Sequence, residues 1–401
     1  MLSFDEALSR LLQHAQAVAE VETVPTLAAA GRVLARAQWA TVDVPPLDNS
    51  AMDGYAVACA DVPGPGTRLP VSQRIPAGSV GVPLRSGTAA RIFTGAPIPV
   101  GADAVIMQEL CAQAGSEVSF NHKPRPGDHI RRAGSDIAAG SEMLAPGQRL
   151  RAQDVALAAS VGMAALPVGR RLRVAVLSTG DELRMPGELL PPGAIYNANY
   201  FLLAALLQGY GCEVLDQGQV GDDFAATREV LRQAAQHADL ILSSGGVSVG
   251  EEDHVRTAVE AAGRIELWKI ACKPGKPLAF GHLAAGGRQV PFIGLPGNPV
   301  SSFVTCLMLV RPFLLRMQGV RHTAPATCLL RADFDWLQPD ARREFLRARR
   351  TAEGSVELFT NQSSGVLTSA VWGDGLIDNP PQQVIRRGDA VRFVPFSELL
   401  A

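Results

Sequence analysis

From Arg171 onward, short apolar runs alternate with helical stretches, and this alternation constrains the fold more than any other feature of the chain. Runs 172–177, 213–218, 239–243, 267–271, 278–280 and 292–295 read as strands; 199–208, 224–237, 254–262 and 299–317 read as helices. Short runs rich in β-branched residues suit strands buried on both faces. Their alternation with helices predicts a doubly wound sheet with helices on both sides. Ligands of such sheets sit outside the carboxyl ends of the strands. There the chain places Gly245-Gly-Val-Ser-Val-Gly250, Lys273-Pro-Gly-Lys276-Pro and Gly294-Leu-Pro296-Gly-Asn298-Pro299. Two glycine-rich loops and one carrying lysines point to a phosphate-bearing ligand.

The rest of the chain has a different texture. Ser3-Phe-Asp-Glu6 is a capping box, opening an amphipathic helix. A second short helix fits 27–37, ahead of a strand-like 41–44. From Pro45 to about Ala133, Pro and Gly recur between short alternating runs, the pattern of an all-β insertion. Helical patterning returns at 152–159, so this helix and the first ones are expected to pack together. After about Gly319 the texture is β again, which predicts a small terminal barrel or sandwich.

Composition excludes several classes. A chain of 401 residues suggests two to four domains. A net charge of −2 gives no basic field for nucleic acid. The six cysteines are scattered without metal-ligand spacing. No signal peptide is visible and 155–168 is too short to span a bilayer, so a soluble cytoplasmic protein is expected.

The glycine loop 245–250 is neither a Walker A loop nor a dinucleotide fingerprint, since neither spacing is met. Glu251, Glu252 and Asp253 follow it. They either favour the dipole of the next helix or, with Asp181, Glu182, Asp222 and Asp223 at neighbouring strand ends, hold a Mg²⁺ beside substrate phosphates. Lys269, Lys273 and Lys276 supply cations at the next strand end, and Lys269 and Lys273 share a face if one strand carries both. In the insertion, Asp48-Asn-Ser-Ala-Met-Asp53-Gly-Tyr55, Thr94-Gly-Ala-Pro97 and Arg131-Arg-Ala-Gly-Ser-Asp136 are polar beyond the needs of turns.

These motifs together resemble the molybdopterin molybdenumtransferase family, of the bacterial MoeA type and the gephyrin E-domain. The matching pieces are Pro46-Leu-Asp-Asn-Ser-Ala-Met-Asp-Gly-Tyr-Ala, Phe93-Thr-Gly-Ala, Gly101-Ala-Asp-Ala-Val, Arg131-Arg-Ala-Gly-Ser-Asp-Ile, Ser178-Thr-Gly-Asp-Glu-Leu, Asn197-Ala-Asn, Ser244-Gly-Gly-Val-Ser-Val-Gly-Glu-Glu-Asp, Lys273-Pro-Gly-Lys-Pro and Gly294-Leu-Pro-Gly-Asn-Pro. The terminal region matches weakly. The resemblance implies a discontinuous helical domain (1–44 plus 134–168), an inserted β domain (45–133), an α/β domain binding molybdopterin (169–318) and a C-terminal β-barrel domain (319–401). It implies a homodimer with an inter-subunit site. It also implies Mg²⁺-dependent cleavage of adenylylated molybdopterin, with molybdate inserted at the dithiolene and AMP released.

Carried over by motif, the family's functional positions fall on Asp53, Thr94, Asp136, Glu182, Asp222, Asp253, Lys269, Lys273, Pro296 and Pro299. On this basis Asp53, Glu182, Asp222 and Asp253 are the expected catalytic residues, the last three also the Mg²⁺ ligands. Ser178, Thr179, Gly245, Gly246, Ser248, Gly250, Lys276 and Asn298 join the substrate-binding set. The adenylyltransferase of the same pathway and apo-molybdoenzymes are candidate protein partners. Alternatives are an adenylyltransferase-like enzyme, a non-catalytic scaffold of the gephyrin E-domain type, and a generic nucleotide-binding protein.

Overall fold

The computed structural model describes residues 1–221, 223–245 and 254–400. Helix α1 (Phe4–Gln13) carries the expected capping box: Glu6 N–H donates to Ser3 Oγ at 3.2 Å, and Ser3 N–H to Glu6 Oε2 at 2.8 Å. Its apolar stripe, Phe4, Ala7 and Leu11, is buried. The stripe does not meet the later helix at 152–160, as the sequence led us to expect. Phe4 packs edge-on against Phe345, 5.1 Å between centroids, and all three residues join the core of the α/β region. The expected helix over 27–37 is a single 3-10 turn, Thr26–Ala29, because Gly31 at φ +74° leaves the helical region.

The next strands are β1 (Val21–Pro25) and β2 (Gln38–Trp39). The expected strand at 41–44 reduces to one bridge, Val44 with Ile137, where Pro45-Pro46 ends the run. The insertion contributes β3 (Asn49–Ser50), β4 (Gly54–Val57), β5 (Arg68–Ile75), β6 (Ala89–Ile92), β7 (Ala104–Met107), β8 (Cys111–Ala114), β9 (Glu117–Phe120) and β10 (Ile130–Arg131). Six of them form one sheet, ordered β7-β4-β6-β5-β9-β8, over Tyr55, Val57, Ile106 and Phe120. Gly54 is needed here: a Cβ would lie 2.0 Å from the Ile106 carbonyl oxygen of the neighbouring strand. The chain then returns through β11 (Glu142–Leu144), α2 (Ala152–Ser160) and β12 (Ala165–Gly169). β1 pairs with β12 and β2 with β11, so the two stretches flanking the insertion meet through short antiparallel strands.

The α/β region runs β13 (Arg173–Thr179), β14 (Leu183–Arg184), β15 (Ile195–Tyr196), α3 (Ala198–Gly209), β16 (Glu213–Val220), α4 (Phe224–His237), β17 (Leu240–Ser244), α5 (His254–Ala262), β18 (Gly263–Lys269), β19 (Cys272–Lys273), β20 (Pro277–Ala285), β21 (Arg288–Leu295), α6 (Pro299–Thr305) and α7 (Arg311–Met317). Its sheet is ordered β16-β13-β17-β21-β20-β18. The first four strands are parallel; β20 runs against both neighbours, so β18 again points the same way as β21. Val174, Val176, Leu240 and Leu242 face the core shared with α1, α3, α6 and α7. Ala175, Leu177 and Ile241 face the core shared with α4 and α5. That alternation is why these runs read as uniformly apolar.

α6 and α7 join through a π turn, Cys306–Val310. Among the described residues, Pro299–Met317 is the one helix long and apolar enough to cross a membrane, and 94% of its apolar 18-residue stretch is buried in the protein.

The remaining elements are β22 (Cys328–Ala332), β23 (Arg343–Arg350), β24 (Ser355–Leu358), α8 (Thr368–Trp372), β25 (Gly375–Asn379), β26 (Ala390–Pro395) and α9 (Phe396–Leu399). Strands β24-β22-β26-β25-β23 close into a five-stranded barrel through the β23–β24 pairing. Beyond Lys269 the chain leaves the α/β sheet, and β19 pairs in parallel with β23 of the barrel. Lys269 and Lys273 therefore do not share one strand face, which corrects the expectation drawn from their spacing.

Candidate functional site

Thr179, Ser244, Leu295 and Lys269 end strands β13, β17, β21 and β18 at one edge of the sheet, and β20 starts there at Pro277. A cleft of about 650 Å³ opens at this edge. One wall is built by Gly245, the Lys273–Pro277 turn and Pro296–Asn298. The other comes from the barrel: Arg342 and Gln362–Ser364. A smaller pocket of about 140 Å³ shares Gly245 and Gly297 with the cleft and adds Thr179, Glu182, Asn199 and Pro299.

The glycine-proline loops owe their shape to the helix behind them. Pro299 occupies the first turn of α6, where a missing N–H costs nothing. Asn298 is the N-cap, yet its side chain makes no capping bond and is exposed toward the cleft mouth. Ser302 Oγ donates to the Pro296 carbonyl and closes the turn from inside. The positive end of this helix therefore faces the cleft. Gly275, at φ +107°, lets the lysine turn press onto α6: a Cβ there would lie 2.3 Å from Thr305 Oγ1.

The charged groups form two sets. Lys273 Nζ lies 3.4 Å from Glu344 and 3.5 Å from Asp340, both in the barrel region. Asp340 also takes a forked pair of bonds from Arg342, at 2.9 and 2.7 Å, and that guanidinium holds its carboxyl well below the usual range. Glu344 is fully buried and accepts from Trp336 Nε1 at 2.7 Å and Asn379 Nδ2 at 3.4 Å. Lys276 lines the cleft with no ion pair or side-chain hydrogen bond among the described residues. Lys269 is exposed and does not line the cleft, so the three lysines do not converge as their spacing promised.

At the other strand ends, Ser178 is 1% exposed and its hydroxyl has no partner among the described residues. Thr179 and the exposed Glu182 line the small pocket. Asp223 caps α4 by accepting from Ala226 N–H at 2.7 Å. Gly245 spends its N–H on the Leu295 carbonyl, 3.1 Å away, as part of the sheet. Asp222, Gly246, Ser248, Gly250 and Asp253 lie outside the described residues. Among the described residues no cluster of three His, Cys, Asp or Glu could hold a metal ion; of the expected Mg²⁺ ligands these residues contain Glu182 alone.

The insertion holds a separate polar set. Asp53 accepts from both the N–H and the hydroxyl of Thr94 at 2.8 Å, and these bonds hold its carboxyl below its ordinary value. Asp48 ties down the turn that carries Asp136, accepting from Arg132 at 2.6 Å and Ala133 N–H at 2.8 Å. Asp136 itself is exposed. None of Asp53, Thr94 and Asp136 lines the cleft of its own chain.

Sequence reasoning missed the barrel wall: Asp340, Arg342, Glu344 and Gln362–Ser364 sit in no recognisable motif. It also passed over Asn199, quoted only within Asn197-Ala-Asn. Its amide donates to the Gly297 carbonyl at 2.7 Å, while its buried Oδ1 has no partner among the described residues.

Comparison with known proteins bears on all three parts. Residues 2–162 match the MoeA N-terminal region (domain I and II), 175–316 a probable molybdopterin binding domain, and 330–396 the MoeA C-terminal region (domain IV). A molybdopterin molybdenumtransferase of Haemophilus influenzae is 36% identical over 409 residues, covering 100% of both chains. The chain belongs to the molybdopterin molybdenumtransferase (MoeA) family. Molybdopterin molybdenumtransferase 2 of Mycobacterium tuberculosis is 38% identical over 93% of this chain and 95% of its own. The crystal structure of a molybdopterin biosynthesis MoeA protein from Pyrococcus horikoshii superposes with a TM-score of 0.85 at 28% identity, covering 98% of this chain and 100% of that one. In MoeA terms, the cleft lies between the region matched to the probable molybdopterin binding domain and the region matched to domain IV.

Proposed function

We propose that this MoeA-family chain is a cytoplasmic molybdopterin molybdenumtransferase, taking adenylylated molybdopterin and molybdate to molybdenum cofactor and AMP. The observation that carries this reading is the two-sided cleft. On one side it offers the α6 N-terminus and rigid glycine-proline turns, which suit the pterin phosphate. Beside those turns stand Lys273 and Lys276, and Arg342 faces them from the barrel wall; these cations suit a dianion such as molybdate.

Asp340 and Glu344 hold Lys273 in place, and Lys276 is left to meet the anion. Pro296 and Pro299 fix the turn so that little ordering is required on binding. Asn199 holds the Gly297 carbonyl and presents a spare acceptor to the pterin end. A Mg²⁺ belongs to the reading, with Glu182, Asp222 and Asp253 as its holders; when bound it would offset charge on the pyrophosphate. Asp53, Thr94 and Asp136 stand apart from the cleft of their own chain, which supports a homodimer in which they complete the site of a second copy. Delivery by the adenylyltransferase and transfer to apo-molybdoenzymes belong to the same reading.

The test is AMP release from adenylylated molybdopterin with Mg²⁺, with and without molybdate. Molybdate-dependent release with active cofactor formed is the expected result. A folded dimer that releases no AMP under these conditions would overturn the reading in favour of a scaffold.

A further inference from the structure

Strands β5 and β6 run parallel in the inserted sheet, and their register sets Arg74 directly beside Arg91. Two cations side by side repel each other, yet neither forms an ion pair among the described residues. Both guanidinia are instead placed over one ring. Arg74 Cζ lies 4.6 Å and Arg91 Cζ 4.7 Å from the centroid of Phe93. Arg91 is also 5.1 Å from the Tyr55 ring, and it donates to the Gly54 carbonyl at 3.0 Å and to Gln108 Oε1 at 2.7 Å. Neutral groups alone hold it in place. Arg74 is exposed, and none of its donors meets an acceptor among the described residues.

The ring beneath them leads to the polar set of the insertion. Phe93 precedes Thr94, whose N–H and hydroxyl hold Asp53, and the charge of Arg91 reaches the Asp53 carboxyl. One face of the sheet therefore runs from a fixed carboxylate to two guanidinia that no carboxylate balances within ion-pair distance. An aromatic ring sets the plane of a guanidinium and leaves its outward N–H groups to a ligand. A planar fork of such donors suits a phosphate.

The proposed substrate has an anion to match. Its pterin phosphate and the molybdate are met by the cleft, but its adenylyl phosphate is not. We propose that Arg74 and Arg91 bind that adenylyl phosphate, and then the phosphate of the released AMP, in the site of a second copy of the chain. Phe93 is the post that sets both guanidinia. This inference rests on the proposed transferase reading with its shared site, and the experiment separates the two.

The first measurement is equilibrium binding of AMP to the wild-type protein, Arg74→Lys and Arg74→Gln, with adenosine as the phosphate-free control. Arg74→Gln is expected to weaken AMP about tenfold and Arg74→Lys about threefold, since the lysine keeps the charge and loses the fork. Adenosine should not distinguish the three proteins. Arg74 is exposed, so thermal unfolding should stay within about 2 °C. The second measurement places Arg74→Gln in mixed dimers of Asp53→Asn and Lys276→Ala chains, which have one intact site. Added to the Lys276→Ala chain, whose insertion completes that site, it should raise the KM for adenylylated molybdopterin about tenfold and leave the molybdate KM within about twofold. Added to the Asp53→Asn chain, it should change neither. A wild-type protein that releases no AMP, or mixed dimers without activity, would overturn the transferase reading or its shared site, and this inference with it. Active mixed dimers in which Arg74→Gln leaves AMP binding or that KM unchanged, or acts equally from either chain, would overturn this inference alone.

Discussion

The cleft and the inserted β sheet solve the same problem, holding charged groups in fixed positions, by opposite means. In the cleft the charges are joined across long stretches of chain: Lys273 reaches Asp340 and Glu344, and the forked Arg342–Asp340 pair stands beside them. In the insertion the pairing is local to one sheet, Asp53 with Thr94 at neighbouring turns. The cleft depends on two regions of the fold staying docked. The insertion organises its carboxylate alone, and among the described residues Asp53 lines neither the cleft nor the smaller pocket.

If that contrast is right, breaking the cleft's cross-region pairing costs stability, while breaking the insertion's costs only activity. Glu344→Leu removes one of the two carboxylates at Lys273 and the acceptor of Trp336 Nε1, and should lower unfolding free energy by about 3 kcal/mol in chemical denaturation. A loss under 1 kcal/mol would mean the docked surfaces do not need it. Lys276→Ala removes a cation that has no ion pair among the described residues. Its molybdate-dependent kcat/KM should fall ~100-fold with stability within about 0.5 kcal/mol, whereas Lys269→Ala stays within about twofold. Equal effects of the two substitutions would erase the distinction drawn between them.

Mixing inactive Asp53→Asn and Lys276→Ala proteins, with exchange of subunits shown, should restore about a quarter of wild-type activity. Half the dimers are then mixed, and each has one intact site of two. No recovery would place Asp53 and Lys276 in one chain's site or in none. The smallest effect concerns pH. The Asp340 carboxyl is lowered in the folded state, so its contribution is complete above its ordinary value near 3.8 and is lost as pH falls further. The stability gap between the wild-type protein and Asp340→Asn, ~1 kcal/mol at pH 7, should be flat down to about pH 5 and close in stronger acid. A gap that instead closes between pH 8 and 5 would assign it to another group.

The sequence revealed those elements whose signals are local. Helix α4 begins and ends where its periodicity and the Asp223 cap put it, and α5 ends where its periodicity does. The strand-end loops lie at one edge because alternating strands and helices leave them nowhere else. What escaped was set by contacts between distant residues. The chain leaves the sheet after Lys269 to pair with β23, and no period within 267–273 announces that partner. Phe4 was expected to pack against a helix of its own region, yet it finds Phe345, far along the chain. Asp340, Arg342 and Glu344 look like ordinary surface charges until the barrel closes.

The order in which the chain is made gives the buried apolar helix a further significance. Pro299–Met317, roughly 28 Å long at 1.5 Å per residue, leaves the ribosome before the barrel strands that follow it. Its cover includes the later helix α9: Phe396 packs on Phe303 with centroids 5.4 Å apart, and the Leu399 carbonyl accepts from the Tyr210 hydroxyl at 2.7 Å. Until those residues arrive, the nascent chain displays a greasy rod of membrane-spanning length, a natural client for holding chaperones.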